Sequence, residues 1–188
     1  MKASNSLWLL FVEGDEKAFS ALFKYYYSML HNYGSKICGN DILTEDCIQN
    51  LFVYLFENKE RLSHIKNPNT YLFVSLRNSI FKQLKKRKAE ERLAPETEQV
   101  ISFEFSPEDF LIQKESFLST TTILNKMLNN LPTREREVIY LKYYSGLSVS
   151  EISEVIEISS QSVSNTLLKA MKKLREGALK GVLLSALA

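Results

Sequence analysis

Turn-forming residues are scarce in this chain. Six Gly and four Pro among 188 residues leave too little punctuation for the many short strands of an all-β or α/β protein, and the prior is therefore all-α. There are only two cysteines, Cys38 and Cys47, without C-x-x-C spacing, which argues against a disulfide scaffold or a zinc knuckle and in favour of two reduced thiols. The two histidines, His31 and His64, fall in no H-x-x-x-H or E-x-x-H arrangement, so no metal site is expected. The apolar run from Leu7 to Val12 is too short for a signal-peptide core or a membrane span and meets Glu13, Gly14 and Asp15; a cytoplasmic protein without membrane insertion is expected. A Gly-rich phosphate loop, a carboxylate paired with histidine at catalytic spacing and a Ser or Cys nucleophile signature are all missing, so neither an enzyme nor a cofactor is expected.

What is present is segregated charge. The formal net charge is only +2, but Ser75 to Arg92 carries Arg77, Lys82, Lys85, Lys86, Arg87, Lys88 and Arg92 against Glu90 and Glu91. Leu93 to Ser116 then holds six acids and one Lys114, and Ser160 to Lys180 turns basic again with Lys169, Lys172, Lys173, Arg175 and Lys180. Two basic blocks flank an acidic joint, which gives two separate places for a polyanion.

Apolar residues recur at helical spacing on both sides of that joint. Phe19, Leu22, Phe23, Tyr26, Leu30, Tyr33 and Ile37 form one stripe, started by Gly14 and Asp15. Thr44 with Glu45 and Asp46 reads as a second helix start, with Ile48, Leu51, Phe52 and Leu55 inward and an end near Asn58. A third helix is expected from about Tyr71 to Lys88, burying Phe73, Leu76, Ile80 and Leu84. Ala89 to Phe105 has no clean period and reads as a linker. Ser106-Pro107-Glu108-Asp109 opens a further helix bearing Phe110, Phe117, Leu124, Leu128 and Leu131, stopped by Pro132. Thr133 is expected to cap a short helix with Val138 and Leu141 that closes at Gly146. The expected architecture is all-α, with two small helical domains at 1–90 and 107–188 joined by a linker at 91–106.

The most specific local signal follows. Ser148 and Glu151 form a capping box for a two-turn helix with Ile152 and Val155, then Glu157-Ile158-Ser159 turns into a longer helix from Ser160 to about Arg175. This is a helix-turn-helix. Val163, Leu167, Ala170 and Leu174 fall on one side of its second helix; Gln161, Asn165, Leu168 and Lys172 lie opposite, with Ser164 and Lys169 alongside. Amides such as Gln161 and Asn165 suit an adenine edge, and the lysines suit phosphates, although any amphipathic helix turns polar residues outward. In the first domain, Asn67 and Asn69 beside Tyr71 and Phe73 offer amides and aromatic faces for an unstacked base; helix caps are the plainer alternative. The Lys82 to Lys88 cluster suits phosphates or simply complements a helix C-terminus.

The segments GDEKAFSALFKYYYSML, TEDCIQNLFVYLFEN and NPNTYLFVSLRNSIFKQLKKRK resemble region 2 of the extracytoplasmic-function sigma factors of the sigma-70 superfamily. LPTREREVIYLKYYSGLSVSEISEVIEISSQSVSNTLLKAMKKLRE is similar to their region 4, a helix-turn-helix bundle of winged-helix-like type. The resemblance implies core RNA polymerase, through its β′ and β subunits, promoter DNA and an anti-sigma factor as partners. It assigns Asp46, Gln49 and Phe52 to polymerase, and Asn67, Asn69, Tyr71, Arg77, Asn78, Lys82, Lys85 and Lys86 to the −10 element. Ser160, Gln161, Ser164, Asn165, Leu168, Lys169 and Lys172 go to the −35 element. The chain departs from the family at Glu157, where Gly is usual in the turn, and at Ser164 and Thr166, where basic residues are frequent. The apolar tail with Val182, Leu183, Leu184 and Leu187 reads as an extension of the last helix, with a docking strip for an anti-sigma partner as the alternative. Two other readings stay open: a regulator that binds an operator directly, and a helical adaptor with no nucleic-acid role.

Overall fold

Asp15 shows how local chemistry sets the first long helix: its Oδ1 accepts from the Lys17 and Ala18 amides at 2.7 and 3.1 Å. Helix α2 then runs Glu16–Cys38 and stops at Gly39, whose φ of 62° lets the chain turn left-handed at little cost. In the computed structural model, which describes residues 2–90, 103–106, 109 and 118–186, every regular element among the described residues is helical. The remaining α-helices are α1 Lys2–Val12, α3 Asp41–Glu57, α4 Pro68–Glu90, α5 Leu118–Asn129, α6 Thr133–Tyr143, α7 Val149–Val155 and α8 Ser160–Ala186. None of the described helices is long and apolar enough to cross a membrane. The chain divides into two compact units, residues 1–102 with 154–156 and residues 103–153 with 157–188.

In the first unit α2 packs on α1, α3 and α4. Tyr26, Leu30, Tyr33, Ile48, Leu55, Leu72, Phe73, Leu76 and Ile80 are all within 1% of full burial, which is the periodic stripes closing on one another. A Cβ at Gly34 would lie 2.5 Å from Thr44 Cγ2 and 3.1 Å from Ile80 Cδ1, so α2 and α3 cross closely only because that position lacks a side chain.

Two sequence expectations are corrected here. Helix α3 begins three residues before Thr44: Asn40 is the cap, its Oδ1 accepting from the Leu43 amide at 2.8 Å. Thr44 is buried inside the helix and donates its hydroxyl to the Asn40 carbonyl at 2.9 Å. Helix α4 starts at Pro68 rather than Tyr71, because proline is pre-set for the first helical position and Asn67 Oδ1 accepts from the Thr70 amide at 3.3 Å. The run at Leu7–Val12 lies in α1, where Trp8 and Phe11 are 2% exposed and pack edge to face.

In the second unit α8 packs on α5 and α6. Val138, Leu141, Leu147, Ile152, Val163 and Ala170 are fully buried. Leu128 and Leu131 are buried as expected, but Leu124 is 37% exposed. Pro132, not Thr133, is the cap residue of α6, and Thr133 Oγ1 instead accepts from Arg136 at 3.2 Å. Phe110 and Phe117 lie outside the described residues, as do 107–108 and the rest of 110–117; the helix expected from Ser106 is seen as α5 over Leu118–Asn129, and at its expected start Asp109 Oδ2 accepts from the Ser106 amide at 2.7 Å. Phe103 and Phe105, read from sequence as linker, are buried in this unit, against Tyr140 at 5.2 and 6.0 Å between ring centres. Asn129 holds the Phe105 peptide group at both ends, accepting from its N–H at 2.8 Å and donating to its C=O at 2.9 Å.

Candidate nucleic-acid interface

The helix-turn-helix is assembled by its caps. Glu151 Oε2 accepts from the Ser148 amide at 2.7 Å and Ser148 Oγ accepts from the Glu151 amide at 3.2 Å, the reciprocal pair of a capping box. Helix α7 ends when the Ile158 amide reaches the Ser153 carbonyl at 3.1 Å across Glu157, whose φ is 55°. Glu157 thus occupies the left-handed position that glycine normally fills. Ser159 Oγ accepts from the Ser162 amide at 3.1 Å and caps α8.

That turn sets the roll of α8. Val163 and Ala170 are buried and Leu167 and Leu174 half-buried, whereas Ser160, Gln161, Asn165, Leu168, Lys169 and Lys172 are exposed and Ser164 is half-buried at their edge. The outward face carries two amides, an aliphatic side chain and cations, with Gln161 Nε2 donating to Asn165 Oδ1 at 3.1 Å. Lys173 is turned away from that face, its Nζ 2.7 Å from Glu135 Oε1 on α6.

On α4 a second basic face forms. Asn78, Lys82 and Lys85 are exposed on the side of the helix opposite Leu76 and Ile80, with exposed Lys86 at the edge of that face; Arg87, also exposed, lies on the Leu76–Ile80 side two turns further along. Arg77 does not join them: it is 7% exposed, donates to the Tyr33 hydroxyl at 3.0 Å and lies 4.7 Å over the Phe81 ring. The guanidinium is held within the bundle, which corrects its expected place on a DNA-facing surface. At the start of α4, Asn67 is exposed and its amide oxygen serves as the cap, Asn69 is half-buried, and Tyr71 is half-buried with its ring 6.1 Å from Trp8. Burial pushes the Tyr71 hydroxyl pKa up. Phe73 is fully buried in the core, so it cannot stack on a base.

Between α2 and α3 lies an apolar groove of about 700 Å³. Phe19, Phe23, Phe52, Val53 and Phe56 line it, with Gln49 and Lys24 at its rim. Phe52 forms the floor, 4% exposed and edge-on to Phe23 at 4.9 Å. Val53 and Phe56 remain 54% and 45% exposed. Asp46 and Gln49 are exposed one turn apart on α3, so the three residues assigned to polymerase by resemblance share one helix edge. The sequence reading missed Phe19, Phe23 and Phe56 as groove walls. Their period marks a helix stripe but not which half of the stripe a neighbouring helix leaves open.

Neither cysteine is disulfide-bonded, and burial pushes the Cys47 thiol pKa up. Among the described residues no group of three or more His, Cys, Asp or Glu is placed to hold a metal ion.

Two family models match the chain, sigma-70 region 2 over residues 22–90 and sigma-70 region 4 over residues 121–174. With the helix-turn-helix and the all-helical fold, they define the class: a two-part protein of the sigma-70 type. The chain is 26% identical over 173 residues to the ECF RNA polymerase sigma factor SigW of Bacillus subtilis, covering 87% of this chain and 90% of the relative. It is 25% identical over 154 residues to the ferric citrate uptake sigma factor FecI of Escherichia coli, covering 82% and 87%. Among solved structures it shares the fold of CnrH in complex with the cytosolic domain of CnrY, with a TM-score of 0.58, 20% identity and 98% of each chain covered. It also shares that of the sigma factor RpoE in complex with the anti-sigma factor NepR from Bartonella quintana, with a TM-score of 0.59, 21% identity and coverage of 86% and 97%. The chain belongs to the extracytoplasmic-function sigma factors of the sigma-70 family, and its role is promoter recognition in transcription initiation. Sigma factors are non-enzymatic regulators of transcription.

Proposed function

We propose that this sigma factor docks on core RNA polymerase through the edge of α3 at the α2–α3 groove, with Asp46 and Gln49 bonding to the β′ subunit and Phe52 shaping the apolar floor beneath. The second unit engages the β subunit and delivers α8 to the −35 element, where Gln161, Asn165 and Leu168 face base edges and Ser160, Ser164, Lys169 and Lys172 meet the backbone. The exposed stripe of Asn78, Lys82, Lys85 and Lys86 on α4 follows the −10 strand as it melts, with Asn67, Asn69 and Tyr71 at the head of the helix nearest a flipped base. The segment 91–102 tethers the two domains, Phe103 and Phe105 already being part of the second. The protein works in the cytoplasm and is held in check by an anti-sigma factor, as the solved relatives CnrH and RpoE are seen with CnrY and NepR.

The observation that carries the reading is an apolar groove that α2 and α3 leave open, with polar Gln49 in its lining and exposed Asp46 about one turn before it on α3. A helix edge built only for packing needs neither residue exposed beside exposed Val53 and Phe56. A pull-down of the full chain with core polymerase tests it. Asp46→Ala and Gln49→Ala are each expected to weaken association roughly tenfold, the loss of about one charge-assisted hydrogen bond. Unchanged affinity in both variants would overturn the docking assignment, and a wild-type chain that binds DNA but not polymerase would favour an operator-binding regulator.

A further inference from the structure

Among the described side chains on the outward face of α8, one is aliphatic and largely exposed. Leu168 is 69% exposed, while its neighbour Leu167 is half-buried and faces the core. It stands three residues after Asn165 and four before Lys172. Met171, the next exposed apolar residue along, is 40% exposed but accepts a hydrogen bond from the Tyr143 hydroxyl at 3.9 Å, which ties it to α6. Leu168 therefore lies alone between an amide pair and a cation.

The amide pair is coupled. The bond from Gln161 Nε2 to Asn165 Oδ1 at 3.1 Å links the two side chains into one unit that keeps both an outward N–H donor and an outward C=O acceptor. In the major groove adenine offers one acceptor and one donor, N7 and N6–H, whereas guanine offers two acceptors. A donor and an acceptor side by side are what adenine's N7 and N6–H require. The only apolar group that the major groove displays is the thymine 5-methyl. Asn165 and Leu168 are separated by about 4.5 Å along the helix axis, close to the ~3.4 Å rise between base pairs.

We infer that α8 reads an adenine through the coupled Gln161–Asn165 amides and, at the neighbouring base pair, a thymine methyl through Leu168. This rests on α8 being the −35 reader. Leu168 is a specificity residue: at cytosine its side chain would cover the N4 amine and remove water from it without replacing the hydrogen bond.

The test uses the full chain assembled with core polymerase, selecting from a randomised duplex library and mapping the upstream contact by footprinting. On the enriched duplex, each thymine in the upstream footprint is replaced singly by uracil, which removes only the methyl. One such replacement is expected to weaken binding roughly fourfold, the effect of uncovering one methyl-sized group. Leu168→Ala should bind the thymine duplex as weakly as the wild type binds the uracil duplex, and should no longer distinguish them. Replacing the adjacent adenine by 7-deazaadenine should weaken the wild type roughly tenfold, and Asn165→Ala should be indifferent to it. If every uracil replacement is neutral, or Leu168→Ala still discriminates, the inference fails while the footprint keeps the −35 reading. If no upstream footprint forms, that reading fails and the inference with it.

Discussion

Replacing Glu157 by glycine should stabilise the second unit. Its φ of 55° puts Cβ close to the following carbonyl, which costs an L-residue about 1–2 kcal/mol. Glycine removes that cost but loses about 0.5–1 kcal/mol through its freer unfolded chain. The side chain is exposed, so burial does not oppose the exchange, and the net gain is about 0.5–1 kcal/mol. For a unit of this size the gain corresponds to a rise in Tm of roughly 3–6 °C. Thermal unfolding of the full chain followed by far-ultraviolet circular dichroism gives the measurement. Emission of Trp8, the single tryptophan, tracks the first unit and should not move with it. Glu157→Ala is the control: it removes the same charge and keeps Cβ, so it should gain nothing. A Gly variant no more stable than the Ala variant would refute the claim that backbone strain is held at this turn.

Other expectations follow from the same packing. Lys172→Ala should weaken holoenzyme binding on all DNA sequences and shift the salt slope by roughly one unit; an effect confined to one sequence would move Lys172 from phosphate to base contact. Asn129→Ala should leave the Phe105 peptide group without its two bonds, and hydrogen exchange at the Phe105 amide should quicken at least tenfold; unchanged protection would mean that the rings alone hold the segment. Burial pushes the hydroxyl pKa of Tyr140 up, and burial and Asp109 raise that of Tyr144 to about 12. A folded state that keeps these protons longer than the unfolded chain is fully stabilised below about pH 10 and loses that contribution as pH rises toward 12. Tyr144→Phe should flatten this alkaline loss in a pH series of melts, and an equally steep loss would remove Tyr144 from the account.

Much of the interface was legible before any tertiary contact was known. The outward face of α8 follows from a period of 3.6 and from which residues are apolar, and Gln161, Asn165, Leu168, Lys169 and Lys172 are exposed as the wheel requires. The capping box of Ser148 and Glu151 is equally local, since both bonds span three residues. Asn78 and the lysines of α4 could be placed because cations at the end of an amphipathic helix have only the solvent side open to them.

Arg77 shows where such reasoning stops. The family resemblance placed it at a DNA contact, but its guanidinium meets Tyr33, 44 residues earlier in the chain. A buried hydroxyl and a ring face can satisfy a cation, and no local pattern announces that pairing. Phe103 and Phe105 were hidden for the same reason: an aperiodic segment becomes part of a core once Asn129 bonds its backbone and Tyr140 covers its rings. The α2–α3 groove is lined by side chains of both helices, Phe19 and Phe56 among them. Sequence by itself determined most of the helices, the capping box of α7 and the outward face of α8, because those depend on interactions within a turn or two. Tertiary structure alone decided which polar groups were drawn inside and where an apolar surface stayed uncovered, because those depend on partners distant in the chain.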